Sequence, residues 1–183
     1  MNDFSSYVAV TAAYWGFTLT DGALRMLVLL HFHTLGFSPL DLAFLFLLYE
    51  AMGVFTNLFG GWIGAKFGLK INLFAGLITQ IIALLMLSAV QPTWVVLYSV
   101  IYVMLAQALS GIAKDLTKMS SKSVVKVVIN EEKKDELFKW VALLTGSKNA
   151  LKGLGFLFGG ILLQLLGFST SLWLSLIHIL TLP

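Results

Sequence analysis

The sequence has no cysteine, and acidic residues are few: 9 Asp and Glu stand against 12 Lys and Arg in 183 residues. The absence of cysteine excludes disulfides, iron–sulfur clusters and thiolate metal sites. Charged residues make up only 11% of the chain, hydrophobic residues make up 58%, and the mean hydropathy is +0.91. A water-soluble domain of this size would expose too much apolar surface at such a composition. The composition therefore indicates an integral membrane protein.

Features typical of several other functions are also missing. The N-terminal MNDFSSYVAV has neither a basic region nor a small-residue cleavage site, so we expect the first helix to be retained. The lysines are not interleaved with exposed aromatics on a polar domain, which argues against nucleic-acid binding. The sequence shows no nucleotide-binding loop, metal cluster or catalytic triad, so we expect neither an enzyme nor a cofactor or metal.

Long apolar stretches predict an all-α fold, a polytopic transmembrane bundle of about five to six helices, since a span needs roughly 20 apolar residues. Gly36 and Pro39, the turn GAKFGLK, and Gln91 with Pro92 divide these stretches. A polar segment at 114–136 precedes the fifth span, and a sixth helix begins near Phe168. The five expected spans are 6–30, 40–63, 71–90, 94–113 and 137–166.

The placement of lysine predicts the orientation of these spans. Lys66 and Lys70 lie between the second and third spans, and seven more lysines flank or fill the gap between the fourth and fifth. The stretches 31–39 and 90–93 contain no Lys or Arg. Five crossings put both basic loops on one side. We therefore expect that side and the N-terminus to be cytoplasmic, with the chain in the inner (cytoplasmic) membrane.

A stripe of lysines follows the fourth span, with one lysine at every fourth position: Lys114, Lys118, Lys122 and Lys126. Such a run usually forms a solvated or headgroup-facing extension of the helix. The alternative is that Lys114 and Lys118 reach a central cavity, with Asp115 balancing their charge.

Three charged residues lie within the first two spans. Asp21 and Arg25 are one helical turn apart, so they can pair structurally or line a polar path together. Glu50 stands alone on the second helix. It can act as a proton carrier or as a protonated group that hydrogen-bonds between helices.

Two further lysines, Lys148 and Lys152, lie one turn apart in the fifth span beside Asn149. At 1.5 Å per residue from Leu137, Lys148 lies about 16 Å deep, near the middle of a ~30 Å core. A lysine there costs roughly 2.5–3.5 kcal/mol. Pairing with Asp21 or Glu50 would offset this cost. The alternative is a water-filled cavity that binds a phosphate-like or carboxylate-like anion, with Arg25 as a further cation.

The turn GGWIGAKFGLK resembles the loop between helices two and three of the major facilitator superfamily. Ala65 replaces the acid of that pattern and Leu69 one of its basic residues. The match therefore lacks the acid that locks the two helices together. The glycine-rich GLGFLFGG is similar to the superfamily's antiporter-type motif, without its proline. The loop positions that match, implied to form a gating loop, are Gly61, Gly64, Lys66, Gly68 and Lys70.

A narrower resemblance extends from about Tyr14 to Phe168. The segments YWGFTLTDGALRMLVLLHFHTLGFSP, LLYEAMGVFTNLFGGWIGAKFGL, AQALSGIAKDLTKMSSKS and WVALLTGSKNALKGLGFLFGG look like the organoarsenical efflux permeases of that superfamily. The resemblance implies export of 1-arseno-3-phosphoglycerate, which a glyceraldehyde-3-phosphate dehydrogenase makes from arsenate and glyceraldehyde 3-phosphate. It therefore implies arsenate resistance, with that dehydrogenase as a functional partner.

Transporters of this superfamily have twelve helices in two halves, so the resemblance implies an N-terminal half at 1–173. The LSLIHI of residues 174–183 can be encoded by CTG TCT CTT ATA CAC ATC, which matches a transposase adaptor end used in sequencing libraries. We therefore expect an adaptor-derived tail, in which His178 has no biological role. The alternative is an authentic start of helix six. A lone half is expected not to transport.

Two alternative functions stay open at this point. The first is a facilitator that exports another phosphorylated or carboxylated metabolite. The second, from a different class, is a membrane protein that only assembles with or regulates a partner. Basic charge without a counter-charge near the midplane favours transport, because a scaffold does not need it.

Overall fold

The computed structural model describes residues 3–128 and 134–182 of the chain. The described part is an all-α bundle in which no strand occurs. Its five helices are α1 Asp3–Thr34, α2 Pro39–Phe67, α3 Leu69–Ser88, α4 Val96–Val128 and α5 Lys134–Leu180.

The corner between α1 and α2 forms at the residues expected to break the helix. Gly36 has a φ of 86°, a left-handed conformation that glycine adopts without steric cost. Ser38 then caps α2: its hydroxyl accepts from the Asp41 amide at 3.2 Å, and its own amide donates to the Asp41 carboxylate at 3.1 Å. Pro39 occupies the first turn of α2, where a backbone N–H would have no intrahelical acceptor, so its missing N–H costs no hydrogen bond.

The corner between α2 and α3 is shorter than the expected turn GAKFGLK. Only Gly68 separates the two helices, with a φ of 91° and its amide bonded to the Gly64 carbonyl at 3.0 Å. Lys66 therefore belongs to α2 and Lys70 to α3. On the neighbouring turns, the side-chain amide of Asn72 donates to the Gly60 carbonyl at 3.1 Å and ties α3 to α2.

Helix α4 continues beyond the predicted span, which ends near Ala113, to Val128, so the lysine stripe is helical. In this extension the hydroxyls of Thr117, Ser120 and Ser121 bond back to carbonyls one turn earlier, as Thr117 does to Ala113 at 2.8 Å, so they do not interrupt the helix. Thr117 and Ser121 are buried. The extension is therefore packed on one face rather than solvated all round.

Helix α5 contains the expected break between the fifth and sixth segments. Gly167 has a φ of 76° and a ψ of 174°, outside the helical region. The segment after it folds back on α1: Leu176 and Ile179 are buried, and the Thr20 hydroxyl lies 2.6 Å from His178 Nδ1. The adaptor origin of residues 174–183 stays a prediction.

Packing pairs the helices out of chain order. α1 packs mainly against α5, and α4 packs between α2 and α3. Short side chains allow the close approaches: a Cβ at Gly111 of α4 would meet the backbone of Tyr49 on α2. The core contains Phe17, Phe32 and Leu84 among its fully buried side chains.

Within the described residues, four helical stretches are long and apolar enough to cross a membrane, namely Pro39–Trp62, Lys70–Ser88, Val96–Ser123 and Phe138–Leu180. The first helix, expected to span at 6–30, is not among these stretches. Trp94, Tyr98 and Tyr102 cluster at the start of α4, with ring centroids 4.8 and 5.1 Å from Trp94. Aromatic clusters of this kind are enriched at membrane–water interfaces. These features favour a multi-pass membrane protein.

Candidate functional site: a lysine-lined cavity

A cavity of about 290 Å³ lies between α1, α2, α4 and α5. Four lysines and three carboxylates line it, together with small and aromatic residues. The lining residues are Tyr14, Phe17, Thr18, Asp21, Glu50, Gly53, Val54, Asn57, Lys114, Asp115, Lys118, Lys148 and Lys152.

Four of the six residues expected to bind substrate meet in this cavity, two from each of two helices. Lys114 and Lys118 of α4 keep only 20% and 28% of their side chains exposed. Lys148 and Lys152 come from α5. The four-residue spacing within each pair puts both of its lysines on one helix face, so each helix contributes one pair.

Asp115 neutralises the α4 pair. Its side chain is only 3% exposed, and its two oxygens lie 3.1 Å from Lys118 Nζ and 3.8 Å from Lys114 Nζ. A buried carboxylate needs such partners, because leaving it unpaired would cost several kcal/mol. Asp115 is thus a fixed counter-charge of the cavity wall.

Of the two alternatives for Asp21 and Arg25, the direct ion pair is not formed among the described residues. Arg25 instead donates to Glu50 at 2.9 Å, and the other oxygen of Glu50 lies 3.5 Å from Lys114 Nζ. Glu50 therefore does not stand alone but bridges α1 and α4. The four-residue spacing put Asp21 within reach of Arg25, but α2 brings a carboxylate closer to the guanidinium.

Asp21 has a different partner, the hydroxyl of Tyr49. This hydroxyl donates to both carboxylate oxygens, at 2.7 and 2.9 Å, and both side chains are buried. The ring of Tyr49 also packs against two cations, with Arg25 Cζ 4.5 Å and Lys114 Nζ 4.2 Å from its centroid. Such cation–π contacts hold the two cations beside the cavity.

Lys148 and Lys152 form no ion pair with any carboxylate of the described residues. The expected alternative of direct pairing with Asp21 or Glu50 is therefore not what the structure shows. Lys152 has its ammonium 5.8 Å from the ring centroid of Phe156. Both lysines line the cavity instead, which is the arrangement expected for an anion site.

Two of the predicted substrate-binding residues lie outside this cavity. Asn149 is exposed and does not line the cavity. Arg25 lines a neighbouring apolar groove with Met26 and Phe46. Arg25 reaches the cavity only through its bond to Glu50.

The predicted gating-loop residues lie around the α2–α3 corner, away from the cavity. Lys66 Nζ lies 5.0 Å from the ring centroid of Trp62, and Lys70 Nζ lies 5.9 Å from that of Phe74. A Cβ at Gly61 would lie 3.5 Å from the methyl of Met119 on α4. The helices therefore pack closely at this corner. A gating role for these residues stays a prediction.

Four polar residues of the site were missed in the sequence: the lining residues Tyr14, Thr18 and Asn57, and Tyr49, which bonds to the lining residue Asp21. Helical spacing offered a signal for three of them. Tyr14 and Thr18 precede Asp21 by seven and three positions, and Asn57 follows Glu50 by seven. Residues at these separations share one helix face. The helix face that carries Asp21 or Glu50 could therefore have been predicted to be the polar face, which includes these three residues.

No family model matches this chain, and no curated protein matches it. The arrangement itself can hold an anion of small-molecule size. It offers two ammonium groups that form no ion pair with a carboxylate of the described residues, two more paired with Asp115, and a wall of hydroxyl and amide groups. Among the described residues no cluster of His, Asp and Glu could hold a metal ion.

Proposed function

We propose that this chain belongs to a membrane transporter that exports a phosphorylated organic anion. The observation that carries the proposal is the pair Lys148 and Lys152, which line the cavity without a carboxylate partner among the described residues. Two such charges are costly in a membrane helix, roughly 2.5–3.5 kcal/mol each near the centre. An anionic substrate supplies the missing charge, and its oxygens accept hydrogen bonds from the ammonium groups.

The substrate proposed is 1-arseno-3-phosphoglycerate, and the transporter is proposed to be an organoarsenical efflux permease of the major facilitator superfamily. The resemblance of Tyr14–Phe168 supports this choice, and a cavity of about 290 Å³ suits a small molecule with several negative charges. Export would follow alternating access, in which two helix bundles rock around the site. A glyceraldehyde-3-phosphate dehydrogenase would supply the substrate, and no covalent step is needed.

The proposed location is the cytoplasmic membrane, with the N-terminus in the cytoplasm. Lys66 and Lys70 at the α2–α3 corner and the seven lysines at 114–139, between the fourth and fifth predicted spans, support this orientation by the positive-inside rule. Proton coupling through Asp21 or Glu50 is part of the proposal. Both line the cavity, so a change in their charge would be felt by a bound anion.

The test uses the complete transporter, meaning the product of the full reading frame in which this chain occurs. It is made together with the dehydrogenase in arsenate-sensitive cells. We expect Lys148→Ala and Lys152→Ala each to reduce arsenate resistance to that of cells without the transporter. Removing a charge from a membrane helix eases its insertion, so both variants should still accumulate in the membrane.

Lys139→Ala is the matched control, because Lys139 lies on the same helix but is exposed and away from the cavity. This variant should retain full resistance. Full resistance in both cavity variants would exclude the anion-site role. Export of another phosphorylated metabolite, with arsenate resistance absent in the wild type, would favour the alternative facilitator over the arsenical exporter.

A further inference from the structure

Glu50 is the carboxylate of the cavity that solvent reaches. Its side chain is 59% exposed, whereas the side chain of Asp115 is 3% exposed and Asp21 is buried. Both of its oxygens are engaged, one by Arg25 Nη2 at 2.9 Å and the other by Lys114 Nζ at 3.5 Å. The carboxylate of Glu50 therefore lies between a guanidinium group and an ammonium group, with one oxygen facing each.

The two cations do not depend on Glu50 for their positions. Arg25 also packs on the rings of Tyr49 and Phe46, at 4.5 and 5.4 Å from their centroids. Lys114 also packs on the ring of Tyr49, with its Nζ 4.2 Å from the centroid, and lies 3.8 Å from Asp115. If the Glu50 side chain turned away, these contacts would therefore keep Lys114 at the cavity wall and Arg25 in the adjoining groove.

We propose that Glu50 is a built-in counter-ion, which a bound anion displaces from Arg25 and Lys114. This inference rests on the proposed anion site and deepens it. Two oxygens bridging a guanidinium and an ammonium reproduce the contacts that a phosphate or carboxylate group makes with such cations. The ligand class is an organic anion with one oxyanion group at this position and further negative charge toward Lys152 and Lys148.

The exchange has a physical purpose in a transporter. With neither a ligand nor Glu50, Arg25 would have no ion-pair partner among the described residues and Lys114 would keep only Asp115, and charges left unpaired in a low-dielectric surrounding are costly. Glu50 provides compensation in the empty state, and the ligand provides it in the loaded state. Because the carboxylate competes with the ligand, it also weakens binding and so promotes release.

The test is binding of 3-phosphoglycerate, a stable anion with a phosphate and a carboxylate, to the purified complete transporter in lipid nanodiscs. Calorimetry at fixed pH and ionic strength gives the dissociation constant. We expect Glu50→Gln to lower that constant about fivefold, which corresponds to the roughly 1 kcal/mol that an exposed ion pair can contribute. Asp41→Asn changes the net charge equally on the same helix but outside the cavity, and should have no effect.

A second arm separates local competition from a general change in the electric field. In a Lys114→Gln background the gain from Glu50→Gln should shrink, because the carboxylate then competes for one cation fewer. An equal gain in both backgrounds would mean that the two effects are independent and would overturn the displacement.

The failure of this inference differs from that of the proposed function. If the wild type binds 3-phosphoglycerate and Glu50→Gln binds it equally or more weakly, the counter-ion role is excluded and the anion site stands. If neither protein binds it, while both run as single monodisperse species, the anion site and the counter-ion role are both excluded.

Discussion

The side chain of Tyr49 on α2 connects three helices. It donates to both oxygens of Asp21 on α1, while its ring carries Arg25 of α1 and Lys114 of α4. A buried carboxylate with a single neutral donor depends strongly on that donor, because an unsatisfied buried acceptor costs about 1–3 kcal/mol. The phenol therefore decides both the stability of Asp21 and the position of the two cations.

Tyr49→Phe tests this dependence, since it removes the hydroxyl and keeps the ring under both cations. We expect the variant to lose about 1–3 kcal/mol of stability, the cost of leaving the carboxylate unsatisfied. Thermal unfolding of the detergent-purified protein, followed by size-exclusion chromatography, gives the change. Tyr98→Phe is the control, because Tyr98 is 55% exposed. Equal melting temperatures for the two variants would show that the bond to Asp21 contributes no stability.

At the scale of helices, glycines set the distance between α1 and α5. A Cβ at Gly155 would meet the Leu19 carbonyl, and one at Gly159 would meet the Ala23 carbonyl. On the other helix, a Cβ at Gly22 would lie 2.7 Å from the carbonyl of Lys152. The two backbones therefore touch at the level of a cavity lysine, so the separation of the helices also fixes where its ammonium group lies.

Gly155→Ala should force the two helices apart, because the nearest atom is backbone and cannot turn away. Overpacking of this kind costs typically about 1–3 kcal/mol, and we expect a lower melting temperature together with weaker anion binding. Gly153→Ala is the matched control on the same helix. A Cβ there meets nothing within 4 Å, so alanine should be neutral or stabilise the helix by up to roughly 1 kcal/mol. Wild-type behaviour of Gly155→Ala would contradict the close approach.

At the scale of the whole molecule, the lysine distribution predicts the orientation in the membrane. Because the chain has no cysteine, single introduced cysteines can test that orientation. Residue 91 lies in the stretch without Lys or Arg, and residue 70 lies at the basic α2–α3 corner. In intact cells a membrane-impermeant maleimide should label Gln91→Cys and leave Lys70→Cys unlabelled until the membrane is opened. Labelling of the unmodified protein should be absent, since it has no cysteine. The reverse pattern would invert the proposed orientation.

Much of the fold could be predicted from the sequence because helix boundaries are local. Gly36 with Pro39, Gly68 and Gly167 interrupt the apolar runs, and the breaks occur there because these residues favour or require non-helical backbone. The fourth span was predicted to end near Ala113, and the lysine stripe after it was predicted to extend the helix. The extension forms because no glycine or proline occurs at 114–128 and the hydroxyls bond within the helix.

The sequence by itself determined the composition suited to a membrane, the helical elements, and which lysines share a helix face, since these depend on neighbours a few residues apart. Only the tertiary structure decided what each face meets. In the folded chain Arg25 pairs with Glu50 rather than Asp21, and the ring of Tyr49 packs against two cations. Asn149 lies outside the cavity. The physical reason is that spacing fixes directions around one helix axis, whereas partners across a cavity depend on how far each neighbouring helix is rotated and how closely its small residues let it approach.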